Sequence, residues 1–198
     1  MAENTIRIHT KKINRIFRIE RMVWKTKYIY GPDLVFINLD NSKEFCLTLK
    51  IQNEMVQLYN IDFYVVRYKI SNKRKGLELK ISLRTKDIKY IELEISYSID
   101  NVSEYLLKRL KIINCSQNVI KVVKMCVELL SFKSNFVQES INQPILASGF
   151  FWWIDDSVAY NEYDGNTLKL WYNVEKKLKP NEVFKSKTAI IGNIAKNN

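Results

Sequence analysis

Histidine is nearly absent from the chain: His9 is the one example among 198 residues. A Ser-His-Asp or Cys-His arrangement would have that single candidate base, close to one terminus, with no motif around any partner nucleophile. The same count excludes a His-rich metal centre, and Cys46, Cys115 and Cys126 lack the paired close spacing of a structural zinc site. Gly31, Gly76, Gly149, Gly165 and Gly192 are isolated, so no glycine-rich loop cradles a phosphate and no cofactor is implied. With 3 prolines and no Ser-rich or Pro-rich stretch, no flexible linker divides the chain, which reads as one domain, residues 1–198. There is no apolar run of about 18 residues, which argues against a membrane partner. The start Met1-Ala2-Glu3-Asn4 lacks the apolar core of a signal peptide. The expectation is a cytoplasmic protein whose three cysteines are reduced thiols used as small hydrophobes.

What the chain does have is alternation. Ile91, Leu93 and Ile95 sit between Glu92, Glu94 and Ser96, and similar runs cover 105–113 and 120–132. Successive side chains of a strand point to opposite faces, so a period of two marks half-buried strands. Further strands are expected at 5–9, 13–20, 22–30, 34–39, 45–51, 55–59, 63–70, 77–84, 88–99, 157–163, 167–174 and 183–191, separated by short polar turns such as Asp164-Gly165. Segments 102–110 and 119–130 can also be written as amphipathic helices. Their β-branched residues, among them Ile112, Ile113, Val122 and Val127, favour strands. Connections this brief join antiparallel neighbours, because a parallel crossover needs a dozen or more residues. The fold class is therefore all-β, an antiparallel β-sandwich with few or no helices.

The net charge of +11 invites a nucleic-acid reading, since polyanions are drawn to basic surfaces. The distribution argues against it. Lysines and arginines in 11–21 and 108–124 alternate with Ile, Leu and Val, as the solvated face of strands does, and edge lysines also block sheet-to-sheet aggregation. The triplets beginning at Asn101 and Asn114 match a glycosylation acceptor but read as turn chemistry.

The chemistry-bearing residues gather after Phe150. Trp152, Trp153, Tyr160, Tyr163 and Trp171 lie within one expected antiparallel unit, beside the carboxylates Asp156 and Glu162. Glycoside cleavage uses two carboxylates about 5 to 10 Å apart, and aromatic faces flanked by carboxylates can hold a sugar ring. Each feature has a plainer explanation: acidic residues are common at strand ends and turns, and large aromatics commonly fill cores or interfaces. If 150–154 is a regular strand, Trp152 and Trp153 point to opposite faces, so at most one of them is core. The candidate ligand-binding set is Trp152, Trp153, Asp156, Tyr160, Glu162, Tyr163 and Trp171, with no catalytic residue and no metal ligand.

The run from Ile91 to Tyr97, then Leu106-Leu-Lys-Arg-Leu-Lys-Ile-Ile-Asn114, a short turn, and Val122 to Leu130 resembles the N-terminal β-supersandwich of bacterial α-galactosidase-like glycoside hydrolases. Arg109, Ile113-Asn114 and Val123-Lys124 take comparable places. Leu178-Lys-Pro-Asn-Glu-Val-Phe184, leading into Thr188 to Gly192, is similar to a turn and strand of that domain, with Asn181 where the family often has glycine. The resemblance implies a non-catalytic accessory domain, because in the family the catalytic carboxylates lie on a barrel that follows, and none follows here. The implied partners are a carbohydrate, a second copy of the chain or a separate catalytic chain. A structural or protein-interaction sandwich is the alternative, and a basic nucleic-acid-binding domain the more remote one.

Overall fold

A computed structural model describes residues 4–32, 36–73, 76–86, 91–99 and 104–194. The strands in chain order are β1 (Asn4–His9), β2 (Asn14–Glu20), β3 (Val23–Tyr30), β4 (Phe36–Asn38), β5 (Cys46–Ile51), β6 (Glu54–Tyr59), β7 (Phe63–Lys73), β8 (Gly76–Thr85) and β9 (Ile91–Ile99). They continue with β10 (Leu106–Asn114), β11 (Ile120–Ser131), β12 (Ile145–Ala147), β13 (Phe150–Trp153), β14 (Ala159–Asp164), β15 (Thr167–Leu178), β16 (Val183–Lys185) and β17 (Ala189–Asn193). A single turn of 3-10 helix, Asn60–Asp62, is the one helical element among the described residues.

These form three sheets, and every described pairing is antiparallel. One runs β1-β2-β3-β4, one β14-β15-β11-β5-β6, and the largest β12-β13-β17-β10-β9-β8-β7 with β16 also on β10. The all-β antiparallel sandwich expected from the alternation is the fold found. β9 shows why: Ile91, Leu93, Ile95, Tyr97 and Ile99 are all buried, while each residue between them is partly exposed. Of the two segments that could be written as helices, 106–110 belongs to β10 and 120–130 to β11, while 102–103 lie outside the described residues.

Several elements differ from the sequence reading. The stretch 183–191 is two strands, because Ser186 leaves the ladder: its Oγ, not a backbone carbonyl, accepts from the Leu110 N–H at 2.8 Å. β12 was not expected, being three residues long, too short for an alternation to register. β7 and β8 extend into the polar turn as far as the Lys73–Gly76 pair. β15 runs past Val174 to Leu178 over an irregularity in its pairing with β11. The expected starts at 34–35 and 88–90, and the Asn101 triplet, lie outside the described residues. Asn114 is fully buried, its side chain tying the turn through Ser116, Asn118 and Leu178. Asn181 has φ +63°, the left-handed region that asparagine tolerates best after glycine. A glycine there would take the same backbone shape.

The basic residues of 11–21 and 108–124 read mostly as a solvated face in the sequence, and two of them depart from it. Arg15 and Lys108 are completely buried, with Glu44 and Glu128. Lys108 shares its face of β10 with Leu106, Leu110 and Ile112, so the strand period itself places it in the core. It is tolerated there because other elements supply opposite charge. Arg15 Nη1 meets Glu128 Oε1 at 2.7 Å and its Nη2 meets Glu44 Oε2 at 3.0 Å. Lys108 Nζ donates to the Glu44 carbonyl at 2.6 Å and lies 3.2 Å from Glu128 Oε2. The Tyr97 hydroxyl and the Thr26 backbone N–H also donate to the Glu44 carboxylate. Arg15, Lys108 and Glu128, one from each of the three sheets, thus meet Glu44 from the connection before β5, and the two cations and two anions neutralise one another. Burial alone would raise the pKa of Glu44, but Arg15, Lys108 and the Thr26 hydrogen bonds outweigh it and hold it at about 2. Burial pulls the pKa of Lys108 below its ordinary value against the opposing pull of Glu128 and Glu44.

A candidate ligand-binding face on the five-stranded sheet

The hairpin β14-β15 turns at Gly165 and Asn166, with Gly165 at φ +55°, so Asp164 pairs with Thr167. Counting outward from this turn puts Glu162 opposite Lys169 and Tyr160 opposite Trp171. Register then carries the Tyr160 row across the whole sheet: Tyr160, Trp171, Cys126, Cys46 and Tyr59 stand side by side on β14, β15, β11, β5 and β6. Directly opposed residues share a face, so this row lies on the side away from the buried Met125, Tyr172 and Leu47. β11 switches faces immediately afterwards. An irregularity between Cys126 and Glu128 inserts Val127, so Cys126 sits on the outer face while Glu128, two residues on, reaches the internal charge cluster.

On this outer face Tyr160 and Trp171 stack at 4.3 Å with 15° between their planes. The Trp171 Nε1–H donates to Glu162 Oε1 at 2.7 Å, which locks the indole in its plane. Lys124 Nζ lies 3.1 Å from the Trp171 ring centroid. A phenol ring and an ammonium group this close to one indole cannot occupy the same side of it, so both faces of Trp171 are covered. The ring face left for a ligand is the far side of Tyr160, which is 38% exposed. Tyr160, Trp171, Glu162 and Lys124 thus make a rigid aromatic platform with one open face, one carboxylate and one ammonium group at its margin. Such a platform can hold a flat apolar surface by stacking and orient it by hydrogen bonds. It contains no second carboxylate positioned for acid-base work.

The other four candidates lie elsewhere. Trp152 is fully buried, packed against Phe132 and Phe150 at 5.5 and 5.8 Å. Trp153, on the opposite side of β13, is half-buried on the eight-stranded sheet, paired with Ile190 and donating to the Asn142 carbonyl. Asp156 pairs with Lys187 and accepts from the Val158 N–H, and the Lys187 contact pulls its pKa down. Tyr163 stacks on Phe136 at 5.1 Å, away from the Tyr160 row. Lys124 is the member the sequence reading missed. No local signal marks it, because β11 joins β15 only through long-range pairing. Among the described residues no three His, Cys, Asp or Glu side chains are gathered as a metal site.

No family model and no curated protein matches the chain. Solved structures do match. The α-galactosidase from Lactobacillus brevis aligns over 97% of this chain and 39% of its own, with a TM-score of 0.63 and 11% identity. The GH36 alpha-galactosidase AgaB from Geobacillus stearothermophilus aligns over 96% and 40%, with a TM-score of 0.60 and 11% identity. A TPR-domain containing protein from Parabacteroides distasonis aligns over 94% and 46%, with a TM-score of 0.54 and 10% identity. The chain therefore shares its fold with a portion amounting to about two-fifths of the α-galactosidases, and also with part of the TPR-domain containing protein.

Proposed function

We propose that the chain is a non-catalytic accessory domain, a single folding unit, that holds a carbohydrate against the open face of Tyr160. The observation that carries this reading is the locked Tyr160–Trp171–Glu162 platform, with Lys124 closing its far side. The likeness in fold to part of the α-galactosidases supports a carbohydrate context, and the scarcity of histidine together with the dispersal of the carboxylates supports a role without catalysis. Three cysteines without a disulfide, Cys46 and Cys126 on strands and Cys115 exposed in the turn after β10, support a cytoplasmic setting.

A panel of galactosides and glucosides titrated against tryptophan emission tests the proposal. Trp171 should report binding, and Tyr160→Ala should weaken it about 2- to 10-fold, the value of one aromatic contact beyond its area. Emission that stays flat across the panel, or binding unchanged in Tyr160→Ala, would overturn it.

A second reading, a sandwich that binds another protein chain, draws on a different surface. β7 is an edge strand, and it exposes Val66, Tyr68 and Ile70 at 48%, 42% and 45%. A long edge with exposed apolar side chains can pair with another strand. Light scattering behind size exclusion distinguishes the two: a stable oligomer that Ile70→Lys dissolves favours the edge, and a monomer with a sugar response favours the platform.

A further inference from the structure

Two of the three cysteines, distant in sequence, meet in the middle of the outer face. Cys46 on β5 and Cys126 on β11 are directly opposed residues of an antiparallel pair. Such residues have Cα atoms about 4.5–5.5 Å apart and side chains on one face. A disulfide needs a Cα separation of about 4.4–6.8 Å, so the backbone already has the spacing for one. Both cysteines are thiols in this structure. The two differ in access: Cys46 is partly exposed, whereas Cys126 is 5% exposed, its Sγ donating to the Glu128 carbonyl at 3.0 Å.

We propose that Cys46 and Cys126 form a thiol–disulfide exchange site, in which the accessible Cys46 reacts with a low-molecular-weight disulfide and Cys126 resolves the adduct. In the first step the Cys46 thiolate attacks one sulfur of the reagent disulfide. That S–S bond breaks, a mixed disulfide forms on Cys46, and one reagent thiol leaves. In the second, the Cys126 thiolate attacks Cys46 Sγ, the mixed disulfide breaks, and the second reagent thiol leaves. The two cysteines lose two electrons and two protons, and the reagent disulfide gains both as two thiols. No backbone rearrangement is required, because β5 and β11 hold the pair in register.

The surroundings set the speed. Burial pushes the Cys46 thiol up in pKa, against hydrogen bonding from Tyr59 and the positive charges of Lys124 and Lys43, while Asp62 adds to the rise. Cys126 is pushed up further, by burial and then by Cys46 itself. Trp171 on β15 stands opposite Cys126, and the pair rests as protonated thiols that exchange slowly at neutral pH, faster as the pH rises. Oxidation would fasten the two central strands of the five-stranded sheet beside Trp171, so the state of the thiols and the aromatic platform occupy one surface. This inference is independent of whether the platform holds a sugar.

Oxidised glutathione added to the native protein, followed by intact mass and peptide mapping, provides the test. The expected product has lost two hydrogens at Cys46 and Cys126, and any glutathione it carries is on the exposed Cys115. Mapping should join the peptides of Cys46 and Cys126, tryptophan emission should fall, and dithiothreitol should reverse all three. Cys115→Ser should behave as the parent does. Cys126→Ser should instead accumulate one glutathione on Cys46, and Cys46→Ser should form no intramolecular bond. The peptide map of the parent protein decides the matter even where a variant fails to fold. A stable glutathione adduct on Cys46 in the parent, an intrachain disulfide from Cys115 to Cys46 or Cys126, or closure that occurs only in denaturant would each overturn the proposal.

Discussion

Replacing Lys108 by methionine removes a charge from the interior while keeping most of the side-chain volume, so its effect reads electrostatics rather than a cavity. In the parent, Arg15 and Lys108 balance Glu44 and Glu128, all four completely buried. Lys108→Met leaves one cation facing two carboxylates and takes the donor from the Glu44 carbonyl. Breaking a buried ion pair by removing one partner costs about 3–5 kcal/mol, because the remaining charge stays desolvated. For a chain of this size each kcal/mol moves Tm by about 2–4 °C, so circular dichroism melts at pH 7 should show a drop of roughly 6–20 °C. The loss should shrink as the pH is lowered, since a proton on the orphaned carboxylate removes the excess charge. Adding Glu128→Gln to Lys108→Met restores neutrality around Arg15 and Glu44, and should recover part of the Tm. A shift below about 2 °C would refute the reasoning, since that is the size expected of an ordinary surface change. A loss independent of pH, or a double variant whose effects simply add, would refute it too.

Acid should destabilise the parent through the same cluster. Glu44 is held at about 2 against an ordinary 4.5, so its contribution is complete above pH 4.5 and is lost as the pH falls through about 2. Urea midpoints should decline by roughly 3 kcal/mol equivalent over that window, and a flat profile there would contradict the assignment. Because the cluster joins all three sheets, tryptophan emission, far-UV circular dichroism and calorimetry should report one coincident transition; two separated transitions would mean that the sheets fold as independent units. Asn181→Gly should change stability by no more than about 0.5 kcal/mol, while Asn181→Val should cost about 1–2 kcal/mol through the left-handed backbone at that turn. Equal denaturant midpoints for the two variants would show that the turn carries no such strain.

Local order was readable in the sequence because it depends on neighbours in the chain. The period of two in 91–99 and 106–114 required strands, and β-branched residues separated β11 from a helix of the same hydrophobic content. Asp164-Gly165 announced the hairpin, and hairpin register alone places Tyr160 against Trp171 and Glu162 against Lys169. Part of the candidate site was thus within reach of counting. The separation of Trp152 from Trp153 was equally legible, since adjacent strand residues face opposite ways, and the structure buries the first and half-exposes the second.

Which member of an alternating run bears an unusual burden depends instead on what another sheet brings to it. The strand period puts Lys108 on the inward face of β10 and Lys111 on the outward one, but nothing local to β10 shows the Glu44 and Glu128 carboxylates that let Lys108 be buried as an ion. Cys46 and Cys126 each read as a small hydrophobe in its own strand; that they stand opposite one another follows from the β5–β11 pairing, a contact between distant segments. The same pairing of β11 with β15 brings Lys124 over Trp171 and leaves Tyr160 as the open aromatic face. The sequence by itself determined the strands, their turns and the sandwich class, because those follow from backbone geometry and side-chain alternation along one chain. The tertiary structure decided which charges are buried, which thiols meet and which ring is free, because those properties belong to pairs of residues that only the packing of three sheets brings together.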